Sequence, residues 1–232
     1  HGLAHHSYSA TVAALDKAAQ RAAFAVAAVA QPEHRSSYPN DDAAEIAAAV
    51  GFPCVIKPTS LSGGRGVIRV ESPSEARWAA ARVRDILALA GQDPTHALLV
   101  EAYVAGPEVA VEGVLSAGRL HVLAVFDKPG QAEGPFFPET MLVTPSRLGP
   151  AQASAVRATT AQAAAALGLS DGPLHAELRV GRDGPVVLEL HARSIGGLCS
   201  RTLQFGLDRS LEEVLLRCAL GWPTDLERNT AA

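Results

Sequence analysis

Lysine is nearly absent from this chain: of its twenty basic residues only Lys17, Lys57 and Lys128 are lysine, and all the others are arginine. Aromatic residues are also scarce at 5%, so alanine, valine and leucine must fill the interior. There is no excess of one charge. A formal net charge of -4 gives no electrostatic footprint for nucleic acid or for an anionic membrane surface, so neither partner is expected. Cysteine is limited to Cys54, Cys199 and Cys218, an odd number without CxxC spacing. That excludes a disulfide framework and a zinc knuckle and points to a reducing, cytoplasmic compartment. Charged or polar residues interrupt every alanine-rich stretch, so no segment reads as a membrane span, and no signal-peptide pattern is present.

What is present is enough for a large core. With 232 residues, 48% of them hydrophobic and 19% charged, the length fits one big domain or two small lobes. The chain begins at His1 with interior-like Gly2, Leu3 and Ala4, so an upstream segment is expected. Alanine-rich sequence from Tyr8 to Ala30 predicts one helix with a basic residue about once per turn, ended by Pro32. A short helix follows Asp41 and Asp42, with Gly51 as its αL cap. Cys54 to Lys57 and Val67 to Val70 read as a hairpin around a glycine-rich turn, and Ser72, Pro73 and Glu75 open a helix to about Ala90 through a capping box. Longer strands come next: Ala97–Val104, a hairpin from Glu108 to Asp127 turning at Ala117 and Gly118, then Glu139–Thr144. A helix from Pro150 to Leu167, a hairpin from Leu174 to Leu190 and a final helix from Leu211 to Leu220 complete the pattern. The expected organisation is a helical lead-in over 1–31, a small lobe over 32–102 and a large lobe with an antiparallel sheet over 103–232.

The last hairpin carries the sharpest inference. With Arg182, Asp183 and Gly184 as a three-residue turn and Gly184 in the αL position, Glu177 lies opposite Glu189 and His175 opposite His191. Alternation then sends Leu174, Ala176, Leu178, Leu188 and Leu190 to the other face. Like charges directly opposite one another destabilise a sheet, so facing carboxylates call for a divalent cation, and an all-oxygen donor set suits Mg²⁺. The plain alternatives are a solvated face or a slipped register. A transition-metal site built from His175, Glu177, Glu189 and His191, of hydrolytic use, is a further reading. In the turn Ser62, Gly63, Gly64, Arg65 and Gly66 the backbone can close over an anion, although it is neither a Walker A loop nor GxGxxG before a helix. An ammonium, unlike the arginine fork, approaches a single phosphate oxygen as a point charge, so three isolated lysines suggest three phosphate contacts; composition alone is the alternative.

These residues resemble the ATP-grasp ligases over nearly the whole chain. The resemblance rests on Asp16 and Lys17, on Gly51 through Pro58, on the Ser62 to Gly66 loop, on Val100 through Val104 with Gly106, Pro107 and Glu108, on Gly172 through Glu177, and on Glu189 through Arg193. It implies an α+β fold of two lobes with a nucleotide cleft between them, lacking the N-terminal domain that usually precedes it. Lys17, Lys57 and the loop of Ser62, Gly63, Gly64 and Gly66 would hold ATP phosphates, with Lys128 near the terminal one. Glu101 and the Ala102, Tyr103 and Val104 backbone would read adenine, and Glu108 the ribose. Glu177, Glu189 and His191 would hold Mg²⁺ or Mn²⁺; the histidine stands where the family usually has asparagine. Arg193 and Lys128 would stabilise the transferring phosphoryl group. The implied activity is ligation of a small carboxylic acid to an amine through an acylphosphate, with homo-oligomerisation possible. A non-catalytic or truncated Mg-ATP-binding module is the other reading.

Overall fold

Asp16 breaks the long N-terminal helix that composition suggests. The computed structural model, which describes residues 2–130, 134–137 and 141–226, has α1 at Tyr8–Leu15 and α2 at Lys17–Val26. Asp16 between them is extended, and its carboxylate accepts the Ala18 and Ala19 amides at 2.7 and 3.0 Å. An aspartate that can satisfy two orphan donors of a new helix competes with continuing the old one. The break turns Lys17, Gln20, Arg21 and Phe24 inward, and all four are buried.

The first sheet is antiparallel, in the order β1 (His34–Ser37), β4 (Leu98–Ala102), β2 (Cys54–Pro58) and β3 (Ile68–Val70). α3 (Ala43–Val50) and α4 (Pro73–Leu89) cover it, closing a core that includes Ile56, Val70, Val83, Leu98 and Val100. β1 was not anticipated; its sequence, His-Arg-Ser-Ser, has no apolar alternation, and it is held as an edge by pairing with β4. Gly51 does follow α3 with a positive φ of 99°, but its ψ of 153° is extended rather than αL. Ser72 caps α4 as expected, accepting the Glu75 amide.

The second sheet, also antiparallel, runs β6 (Arg119–Asp127), β5 (Glu108–Ser116), β7 (Gly172–Gly181) and β8 (Gly184–His191). One face packs on α5 (Pro150–Ala166) and the lead-in helices, burying Phe24, Val109, Val156, Leu174, Leu178 and Leu190 together. Part of the opposite face is covered by a short ribbon, β9 (Gln204–Phe205) with β10 (Arg209–Ser210), and by α6 (Leu211–Leu220), around Phe126, Phe205 and Val214. The uncovered remainder of that face forms one wall of a cleft against the first sheet. The strand expected at Glu139–Thr144 falls partly outside the described residues; within them Val143 makes a single bridge to Asp127. The architecture is the expected α+β. All three cysteines are free, and no helix among the described residues is long and apolar enough to cross a membrane.

Candidate functional site

Glu177 does pair with Glu189, and His175 with His191, but not by the turn expected from the sequence. The loop is two residues long, Arg182 and Asp183, with Gly181 opposite Gly184. Left alone, that register would offset the carboxylates by one residue. A bulge beyond Leu178 restores it: Leu178 faces Val187, and Leu188 is the extra residue. Leu188 therefore leaves the apolar face, where Val187 is buried instead, and joins the cleft wall. The bulge carbonyls are held from across the molecule. Arg21 Nη1 and Nη2 donate to Val187 O and Leu188 O at 3.3 and 2.5 Å, and Lys57 Nζ donates to Leu188 O at 3.4 Å.

All three lysines reach one cleft. It encloses about 720 Å³ out to its open mouth, within the range of small-molecule sites. Its wall includes Lys17, Lys57 and Lys128, with Glu177 and Glu189 among the facing acids. Each ammonium is paired with a carboxylate. Lys17 lies 2.8 Å from Glu189, Lys57 2.7 Å from Glu101, and Lys128 2.9 Å from both Glu108 and Glu177. Lys17 also donates to Leu61 O at 2.6 Å. Burial would raise the Glu177 and Glu189 carboxyls, but His175 and Lys128 on one, and Lys17 and His191 on the other, keep both below the usual carboxylate range. Burial likewise pulls Lys128 down, yet Glu177 and Glu108 overcome it and raise it.

The Lys57 and Glu101 pKa values both fall, which disfavours the charged form of one and favours that of the other, for a visible reason. Burial would raise the Glu101 carboxyl, but Lys57 and Arg21, each 2.7 Å away, hold it at about 2. Burial lowers the Lys57 ammonium; Glu101 opposes this, while Arg21 and Lys17 add to it. One carboxylate shared by two cations gains more than either cation does. The Glu101 side chain is thus taken up by Lys57 and Arg21 rather than turned toward a base. Glu108 is similarly engaged, with Oε1 on Lys128 and Oε2 accepting from Arg179 Nε at 2.9 Å.

The rest of the lining is more apolar. Ala102, Tyr103 and Val104, with Val55, Val67, Phe137 and Leu188, belong to it. Tyr103 lies between two guanidinium groups, Arg69 at 4.3 Å and Arg179 at 4.9 Å from its ring centre. Ser62 and Gly64 of the glycine loop line the same cleft, and Gly63, Gly64 and Gly66 all have positive φ. At Gly64 a Cβ would stand 2.5 Å from Phe137 O, so the loop and the 134–137 segment approach as only glycine allows.

A second pocket opens beyond Lys128, Glu177 and Glu189, lined also by Ser62, Gly63, His175, Arg193 and residues 194–197. Arg193 is exposed, and its Nη1 donates to Ser194 O at 2.9 Å. His191 lines neither pocket. Its Nε2 lies 3.1 Å from Glu189 Oε1, off the line of a hydrogen bond. Among the described residues no group of three His, Cys, Asp or Glu side chains is arranged to hold a metal ion. The expected Glu177, Glu189 and His191 trio, and the four-ligand site that adds His175, are therefore not assembled: Lys128 and Lys17 draw the two carboxylates toward themselves. What remains is a pair of ionised carboxylates side by side, an oxygen donor set of the kind Mg²⁺ completes with waters and phosphate oxygens.

Sequence reasoning missed Arg21, Arg179 and Glu112. Arg21 sits one turn beyond Lys17, a spacing that places both on one helix face, but arginine is the ordinary cation of this chain. Glu112 lies in the middle of a strand whose one other charged residue, Glu108, is at its start, and it is 0% exposed. A carboxylate in such a strand was the available signal.

The residues from 50 to 202 match the model of the ATP-grasp domain. The chain belongs to the ATP-grasp family. Among relatives, a protein from Sinorhizobium fredii named y4rH is 30% identical over 220 residues, 92% of this chain and 43% of its own length. Carnosine synthase 1 from Gallus gallus is 36% identical over 196 residues, 80% of this chain and 20% of its own. The chain thus spans less than half the length of these ATP-grasp relatives. The L-amino acid ligase of Bacillus licheniformis superposes with a TM-score of 0.72 at 24% identity, covering 95% of this chain and 50% of that one. Biotin carboxylase from Campylobacter jejuni gives 0.78 at 20% identity, over 95% and 49%. At these identities the likeness establishes the shared ATP-grasp fold.

Proposed function

We propose that this chain is the nucleotide-handling part of an ATP-dependent ligase that activates a small carboxylic acid, of the amino acid class, for attack by an amine. The observation that carries the reading is the convergence of all three lysines and the Glu177 and Glu189 pair on one cleft. The triphosphate lies along Lys17, Lys57 and Lys128 beneath the Ser62 to Gly66 loop, and the base lies against Tyr103, Phe137 and Leu188. A divalent cation, Mg²⁺ or Mn²⁺, held by Glu177 and Glu189 would neutralise charge on the phosphates. The names fit: one relative is a carnosine synthase, and a protein of the same fold is an L-amino acid ligase.

The chain's own residues contribute position and charge. The acid would occupy the second pocket, which Arg193 helps to line and which shares Lys128 with the first. Its carboxylate oxygen attacks the γ-phosphorus, the bond to the β-γ bridging oxygen breaks, and ADP leaves with that oxygen. Lys128 and Arg193 offset the charge that develops on the transferring group. The acylphosphate is shielded from water by the glycine loop until an amine displaces phosphate. The buried Lys57, held below its ordinary pKa chiefly by burial, would gain a further counter-charge from a phosphate.

A phosphate-release screen over amino acids and small carboxylic acids tests this. The expected result is release that needs ATP, a divalent cation, an acid and an amine together. Tight nucleotide binding with no turnover for any combination would favour the binding-module reading.

A further inference from the structure

Glu112 lies at the centre of β5, 0% exposed, and lines neither pocket. A carboxylate taken wholly out of water costs several kcal/mol unless its partners repay it, and apolar replacements of equal volume are often neutral or stabilising. Its partners here are few and specific. Glu112 Oε2 accepts the Ile195 amide at 2.9 Å and stands 3.4 Å from His175 Nδ1. Glu112 Oε1 and His175 Nδ1 are both buried without a hydrogen-bond partner among the described residues. From the other side of the same imidazole, His175 Nε2 is 3.6 Å from Glu177 Oε1. One buried carboxylate therefore touches the two structures that shape the second pocket: the backbone just after Arg193, and the histidine braced against Glu177.

We infer that Glu112 is a positioning residue for the second pocket, fixing the 194–197 loop through the Ile195 amide and steadying Glu177 through His175. This rests on the ligase reading of the cleft. It adds a residue that no ligand touches yet on which acid binding depends. Along β5 the alternation sends Glu108, Ala110 and Glu112 to the cleft side and Val109 and Val111 to the core, so the placement follows from the strand itself.

The test compares Glu112→Met, which keeps volume and removes the acceptor, with Glu112→Gln, which keeps an acceptor for Ile195. Three quantities are read in the whole chain: MgADP affinity by calorimetry, the KM of whichever acid supports phosphate release, and hydrogen exchange at the Ile195 amide by NMR. Glu112→Met is expected still to bind MgADP, weakened less than the acid, to raise the acid KM about tenfold, equivalent to about 1.4 kcal/mol, and to deprotect Ile195. Glu112→Gln is expected to restore most of both. A folded Glu112→Met protein with unchanged acid KM and a still protected Ile195 overturns the assignment, as does a Gln variant no better than Met. Should the Met variant not fold, a rapidly exchanging Ile195 in wild type or in Glu112→Gln overturns it equally, and slow exchange in both upholds it. Absence of MgADP binding in wild type defeats the ligase reading instead, and leaves the exchange result to decide the role of Glu112.

Discussion

Glu101 carries two cations on one carboxylate, and that sharing sets how the protein meets acid. Its folded pKa of about 2 lies below the 4.5 of a free glutamate, so its contribution to stability is present above about 4.5 and is lost as pH falls toward 2. Urea denaturation of wild type and Glu101→Gln from pH 7 to pH 3 should show a stability gap that narrows through that window; a constant gap contradicts it. Arg21 is the second such residue, bridging Glu101 and the Leu188 bulge while 1% exposed. Arg21→Met leaves Glu101 half-paired, removes the side-chain donor to Val187 O and leaves Leu188 O to Lys57 alone, and should cost about 3 kcal/mol in the same measurement. At this scale the sequence was legible where a residue type was rare. Three lysines against a background of arginine stood out, as did two glutamates at mirrored positions of one hairpin. Arg21 and Arg179 were hidden by the same background, and the partners of Glu112 lie 63 to 83 positions away, in His175 and Ile195.

At the scale of elements the instructive case is the β7–β8 hairpin. The turn was read one residue too long and the bulge was not foreseen, and the two offsets cancel, so the carboxylates meet for a reason the sequence did not show. Bulges are set by what grips the extra residue, here Arg21 and Lys57 from other elements, and local pattern carries no trace of that. The Asp16 break is the reverse case: its N-cap signal is local and was available, but alanine content on both sides outweighed it. The glycine loop yields a prediction of its own. Gly64→Ala places a methyl group against Phe137 O at a φ of 68°, and must push the loop and the 134–137 segment apart. Calorimetry should show nucleotide affinity falling about tenfold or more, with thermal stability nearly unchanged because the loop is surface structure. Unaltered affinity would mean that the loop does not close on the nucleotide.

For the whole molecule, three lysine–carboxylate pairs line the cleft between the two sheets, with Lys57 also donating across it to Leu188 O, and the same charges are the ones a metal-bound triphosphate would take over. On the proposed reading, Lys17 and Lys128 would pass from carboxylate to phosphate as Glu189 and Glu177 pass from ammonium to cation. Metal and nucleotide should therefore strengthen one another's binding, and by linkage to the same factor. The scheme has a sign that simple loss of a ligand does not: Glu189→Gln releases Lys17, so it should bind ATP without metal more tightly than wild type, while gaining little when metal is added. The two-sheet plan was readable from strand lengths, turn residues and apolar alternation; this exchange of partners was not, because it depends on side chains from α2, β2, β7, β8 and the residue just after β6 meeting at one place. The most direct measurement is calorimetric titration of ATP into wild type and Glu189→Gln, each with Mg²⁺ and with a chelator. Wild-type affinity that rises at least about tenfold with Mg²⁺, together with a variant that has lost this gain, is the predicted result. Equal wild-type affinity with and without the cation would contradict it.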